Sequence, residues 1–200
     1  MQSIIPSNLG WLEDKLKPEE SKRLWDYISK AKDDAKLELL GHMHSSLYLN
    51  DEDDWFFNNV CPRFIKRYGD EFGPFSLPTA RAHPYMIDNL WVNVQKETEY
   101  NPFHNHFGVY SFVIWLNIPT DWREQYALCD NSKGTASNFE FHFTNILGEI
   151  TSYQYQLDKS WEDTMLFFPS KLNHGVYPYF NCGENRISVS GNLCLNTMVQ

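Results

Sequence analysis

Two hundred residues with 42% hydrophobic and 16% aromatic content can fill one well-packed domain, and 22% charged residues exclude a globally disordered chain. The net charge of -9 and a pI near 5.2 exclude a broad basic surface for nucleic-acid phosphates. Cys61, Cys129, Cys182 and Cys194 lack zinc-like spacing and read as reduced thiols, and no apolar run reaches a membrane span, so a soluble cytosolic protein is expected. The N-terminus shows no basic stretch followed by an apolar one, so no signal peptide is expected.

The first 75 residues read as helical. Pro18 suits a first helical position, with Glu19 and Glu20 at the positive end and Leu24 and Ile28 on one stripe beside Trp25. Asp33 or Asp34 is placed to cap a short second helix carrying Leu37 and Leu40 and ended by Gly41. A third helix is expected from Asn50 or Asp51, with Phe56, Val60 and Phe64 on one face, a kink at Pro62 and an end at Gly69. Arg63, Lys66 and Arg67 read as a solvated face of that helix.

From about residue 85 the texture becomes that of strands. They are predicted at Leu90–Gln95, Val109–Ile118, Phe139–Phe143, Ile150–Leu157, Met165–Phe168, Gly175–Tyr179 and Arg186–Leu193. Val109 to Ile118 is apolar at both alternating sets of positions, which fits a strand covered on both faces. Residues 119–137 read as a long loop of the kind that often carries function. The fold class is mainly β with N-terminal helices, a β-sandwich or barrel of jelly-roll type, as one domain over 1–200. Its helical buttress spans 1–80 and its β core 85–195.

The chemistry centres on Asn101-Pro102-Phe103-His104-Asn105-His106-Phe107-Gly108. In extended backbone, residues two apart point to the same side, so His104 and His106 can present both imidazoles to one point. His174 follows 68 residues after His106, and Arg186-Ile187-Ser188 begins 12 residues after His174. Imidazole is a good ligand for iron, zinc, copper and nickel. On a strand, Arg186 and Ser188 share a face and can fork onto a carboxylate. The bland alternatives are core or loop histidines, and an arginine paired with Glu184. His42-Met43-His44 is a second H-x-H, read as surface or core, while His83 and His142 read as structural. Asn93 either reaches a ligand or pairs within its strand, and Trp115 and Ser111 are candidate pocket residues whose default is core.

The order of His104, His106, a distant His174 and then Arg-x-Ser resembles the 2-oxoglutarate/Fe(II)-dependent oxygenases. The text around it looks like a subfamily found widely in bacteria and marine phages, notably Trp91-Val92-Asn93, Ser111 to Leu116, Leu166-Phe-Phe-Pro-Ser170 and Asn173-His174. The likeness covers residues 90–193. It implies a cupin-like double-stranded β-helix (jelly roll) with Fe(II) and 2-oxoglutarate as cofactors. It implies His104 and His174 as iron ligands, Arg186 and Ser188 on the distal carboxylate, and Asn93 as a further cofactor-binding candidate. O2 and a small molecule or peptide would be substrates, the reaction a C–H hydroxylation releasing succinate and CO2. A phage-encoded protein acting in its host cytoplasm fits the same resemblance. The sequence departs from the family pattern where His106 stands in place of the usual Asp or Glu; a three-histidine set of His104, His106 and His174 is the expectation. A second register, His106-Phe107-Gly108, has the H-x-G form of halogenating relatives, although Gly108 also suits a turn and Tyr100 before His104 favours hydroxylation. A desaturase, or a metal-binding module without turnover, remain the other readings of such a fold.

Overall fold

The computed structural model describes residues 1–3, 9–36, 39–73, 82–128 and 134–198. Ten strands form two antiparallel sheets. They are β1 (Leu12–Lys15), β2 (Ser45–Tyr48), β3 (Tyr85–Gln95), β4 (Asn101–His104), β5 (Tyr110–Asn117), β6 (Phe139–Thr144), β7 (Ile150–Tyr155), β8 (Thr164–Pro169), β9 (Asn173–Val176) and β10 (Arg186–Leu195). The larger sheet has the order β1-β8-β5-β10-β3-β2 and the smaller the order β4-β9-β6-β7. The two sheets face each other as a jelly roll, and the helices that precede β3 lie on the outer face of the larger one.

Strand β5 shows why the sequence chooses this arrangement. Phe112, Ile114 and Leu116 join the core under the helices, while Val113 and Trp115 join the core between the sheets. A strand apolar on both faces gains only if both are covered, each large side chain contributing roughly 1.5–3 kcal/mol when fully buried. Helix α1 (Pro18–Lys30) begins at the expected proline and buries Leu24 and Tyr27 against the larger sheet, while Trp25 stays 40% exposed. Glu20 of α1 accepts both the Lys17 backbone N–H (2.9 Å) and a two-pronged bond from Arg63 (2.6 and 2.8 Å). Arg63 therefore ties two helices together rather than facing water like Lys66 and Arg67, which pair with Asp70 and Glu71 one turn on.

Several expectations are corrected. The helix after Asn50 is broken in two, α2 (Trp55–Asn59) and α3 (Cys61–Phe72), because Pro62 cannot donate within a continuous helix and is tolerated only in a first turn. Gly69 does not end α3; the stop is Gly73, whose φ of 82° lies in the left-handed region. The described residues between 31 and 41 form no helix, and Leu37 lies outside the described residues. Instead Ala35 N–H bonds Ser46 O and Tyr48 N–H bonds Asp33 O, so the segment runs alongside β2. The long loop 119–137 contains a short helix, α4 (Trp122–Ala127), capped by Asp121; residues 129–133, with Cys129, lie outside the described residues. Strands β1, β2 and β4 were not expected: each is only four residues long, and β4 carries Pro102, which an edge strand tolerates.

Gly108 turns the chain from the histidine segment into β5. Its φ is 108°, and a Cβ there would stand 2.7 Å from Leu193 O. Gly108→Ala should destabilise the fold by about 1–3 kcal/mol, read as a lowered denaturation midpoint in urea. An unchanged midpoint would contradict this account of the turn.

Candidate metal centre

Strand pairing brings distant histidines together. In the β4–β9 register His104 stands opposite His174. His106 lies just past β4, where its backbone N–H bonds Ser170 O at 2.8 Å and fixes the turn against the end of β8. Ring centroids are 4.4 Å apart for His104 and His174, 4.8 Å for His104 and His106, and 5.1 Å for His106 and His174. One nitrogen from each ring falls within 4.8 Å of the others, near enough for small rotations to bring three donors onto one ion.

The tautomers are set by the backbone. Nδ1 of His104 lies 2.7 Å from Pro102 O, and Nδ1 of His174 lies 2.9 Å from Leu172 O. A carbonyl only accepts, so each Nδ1 carries the proton and each Nε2 keeps its lone pair for a ligand. Burial, together with the neighbouring imidazoles, holds His174 well below the usual histidine range. Burial lowers His106 to about 4, with help from His104 and Lys171, and burial lowers His104 as well. Three neutral imidazoles are the form a cation requires, and this donor set fits a divalent transition metal.

These depressed values have a consequence for the metal-free protein. The unfolded chain takes up protons on these rings near pH 6.5, whereas the folded His106 resists until about 4. Stability contributed by the neutral site is therefore complete above pH 6.5 and is lost as pH falls towards 4. Melting temperature followed over that interval should fall, and fall less steeply in His106→Gln. Equal slopes in the two proteins would contradict the assignment.

The cavity beside the rings is lined by Trp91, Asn93, Gln95, Trp115, Arg186 and Ser188, among others. Alternation along β3, β5 and β10 aims these side chains inward, with Asn93 opposite Ser188 and Gln95 opposite Arg186. Arg186 is 1% exposed. It does not pair with Glu184 or with any other carboxylate among the described residues. One NH2 group donates to Gln95 Oε1 (3.3 Å), the other to Ser137 O (3.0 Å) and Ser137 Oγ, and the Tyr179 ring lies 5.0 Å away. Its Nε has no partner among the described residues. Asn93 lines the cavity, and its Oδ1 accepts from Ser46 Oγ of the neighbouring strand β2 at 2.7 Å rather than from a group of its own strand. Trp115 also lines the cavity, whereas Ser111 is tied to Ser170 and Asn192 outside it.

The remaining histidines stay apart from this cluster. His42 and His44 are exposed, but Met43 between them is buried and lines the cavity. His142 lies 3.4 Å from Glu140 on the outer face of the smaller sheet. Gln95, Ser137 and Met43 were missed from sequence. Gln95 had a signal, being two residues from Asn93 on one strand; Ser137 sits in an apparently featureless loop, and Met43 was hidden between two more conspicuous residues.

A jelly roll with an imidazole cluster and, in the same cavity, a buried guanidinium that has no carboxylate partner among the described residues has the architecture of the non-haem iron oxygenases as a class. A family model described as "Putative 2OG-Fe(II) oxygenase" matches residues 89–192, just over half of the 200-residue chain. The chain belongs to that family, and is an oxidoreductase using Fe(II) and 2-oxoglutarate. The fold agrees. A viral collagen prolyl hydroxylase from Paramecium Bursaria Chlorella virus-1, in a 2OG complex, aligns with a TM-score of 0.54 and 11% identity, over 92% of this chain and 94% of that one. A Pseudomonas putida prolyl-4-hydroxylase aligns at 0.52 and 11% identity, over 94% of each chain. A prolyl hydroxylase from Trichoplax adhaerens, in complex with a hypoxia inducible factor peptide fragment, aligns at 0.52 and 12% identity, over 92% of this chain and 82% of that one. No curated protein matches the sequence. No helix among the described residues is long and apolar enough to cross a membrane.

Proposed function

We propose that the protein hydroxylates a C–H bond of a small-molecule or peptide substrate, coupled to conversion of 2-oxoglutarate to succinate and CO2. His104, His106 and His174 hold Fe(II), and Arg186 with Ser188 binds the distal carboxylate of 2-oxoglutarate, Asn93 lying beside them. Residues 1–200 act as one oxygenase domain, with the helices as buttress and the β core over 85–195. The iron and the keto acid supply the O2-activating chemistry. The chain supplies everything else. Carbonyls of Pro102 and Leu172 hold two imidazoles in the metal-binding tautomer. Trp91, Trp115 and Phe168 wall the cavity with apolar surface.

The observation that supports this reading most is the pairing, in one cavity, of three neutral imidazoles with a buried guanidinium that has no carboxylate partner among the described residues. Three imidazoles leave the charge of a divalent ion intact, and Arg186 adds another positive charge. A doubly negative keto acid answers both. The Cβ position of Gly108 meets Leu193 O and Ser170 Oγ, so the turn itself requires glycine and the H-x-G spacing lends no support to halogenation. The peptide in the Trichoplax adhaerens complex keeps peptides among the candidate substrates.

Incubation with 2-oxoglutarate, Fe(II) and O2 tests the proposal through succinate release. Succinate should appear only when all three are present, and rise with a true substrate in proportion to oxidised product. Absence of iron-dependent succinate under any substrate screen would defeat it.

A further inference from the structure

Resting on the reading of Arg186 as the co-substrate anchor, we propose that Ser137, with Gln95, is a positioning residue. It sets the depth of the guanidinium and hence the length of diacid the cavity accepts. A buried arginine is ordinarily fixed by a carboxylate, which supplies charge and geometry together. Here the two are separated. Gln95 Oε1, Ser137 O and Ser137 Oγ hold the guanidinium by neutral acceptors and leave its charge for a ligand.

Both holders are themselves immobilised. Ser137 is fully buried, its N–H donates to Pro178 O at 2.7 Å, and its hydroxyl lies 2.9 Å from Thr120 Oγ1. Ser137 Oγ thus accepts from Arg186 and shares a second hydrogen bond with the Thr120 hydroxyl. The residue sits at φ 69°, a left-handed conformation that glycine would adopt more easily. Glycine would give the same turn without the hydroxyl. Gln95 is 3% exposed, and its Nε2 donates to Glu99 O at 2.6 Å, which turns Oε1 towards Arg186. Two independent clamps, one from β3 and one from the turn before β6, thus fix one end of the cavity. The imidazole cluster lines the same cavity, and the span from it to the guanidinium is the proposed ruler for the ligand.

Calorimetric titration of anaerobic, Mn(II)-loaded protein with oxaloacetate, 2-oxoglutarate and 2-oxoadipate reads that ruler without turnover. The native protein should prefer 2-oxoglutarate by at least about tenfold over the shorter and longer acids. Ser137→Ala and Gln95→Leu should each weaken 2-oxoglutarate by about tenfold and flatten the length preference to within about threefold, a change that merely lowered stability would not produce. Circular dichroism melts establish that each variant folds, and either folded variant decides the question. If the native protein binds none of the three acids, the co-substrate reading and this inference fall together. If it is selective and a folded variant is equally selective, this inference alone falls.

Discussion

Replacing His174 by alanine is expected to lower iron affinity by at least about a hundredfold and succinate formation by about a thousandfold or more. His174 is the most enclosed of the three rings, 6% exposed, packed against Phe139 and Phe168, with Nδ1 held by Leu172 O. It therefore offers its donor nitrogen from a fixed position, whereas His106 has no comparable carbonyl partner among the described residues and depends on its backbone anchor to Ser170. Loss of the ring also leaves a hole in the core between the sheets, so some stability is lost as well. His174→Gln, which fills more of that space, separates the two effects: iron content by elemental analysis should fall in both variants, while the melting temperature should fall further in the alanine variant. Full iron loading of a folded His174→Ala protein would remove His174 from the ligand set.

Arg186→Met is expected to weaken 2-oxoglutarate binding by about a hundredfold or more, since a charged bond buried in the cavity is lost together with its geometry. Its effect on stability should be small by comparison. Breaking an ordinary buried ion pair strands the partner charge, but this guanidinium has no partner carboxylate among the described residues. What remains is the loss of hydrogen bonds to Gln95 and Ser137, offset by relief from an uncompensated buried charge. A large fall in melting temperature with unchanged 2-oxoglutarate affinity would mean that Arg186 serves the fold and not the ligand.

Much of this was readable from residue order because the physics was local. The alternation around β5, the proline at the start of α1 and the two-residue spacing of His104 and His106 each state their geometry within a few positions. The meeting of His174 with His104 was inferred from family resemblance and residue type; the register that opposes them belongs to the whole sheet. The break in the helix at Pro62 was half legible: the proline was visible, but whether it kinks or restarts a helix depends on packing. The stretch from Asp33 to Gly41 misled because its acidic residues and leucines mimic a capped helix, whereas the backbone groups of Asp33 and Ala35 bond to β2. The clamps on Arg186 were least legible. Ser137 gains its role only when the turn before β6 folds over the end of β10, a contact 49 residues distant in the chain.

The most direct measurement is an anaerobic titration of Fe(II) into the protein with and without 2-oxoglutarate, watching for the visible charge-transfer band of the chelate. The account predicts a band that needs both components, saturates at one iron per chain, and vanishes in His174→Ala. An iron-loaded protein whose spectrum ignores 2-oxoglutarate, or a band that survives loss of His174, would contradict it.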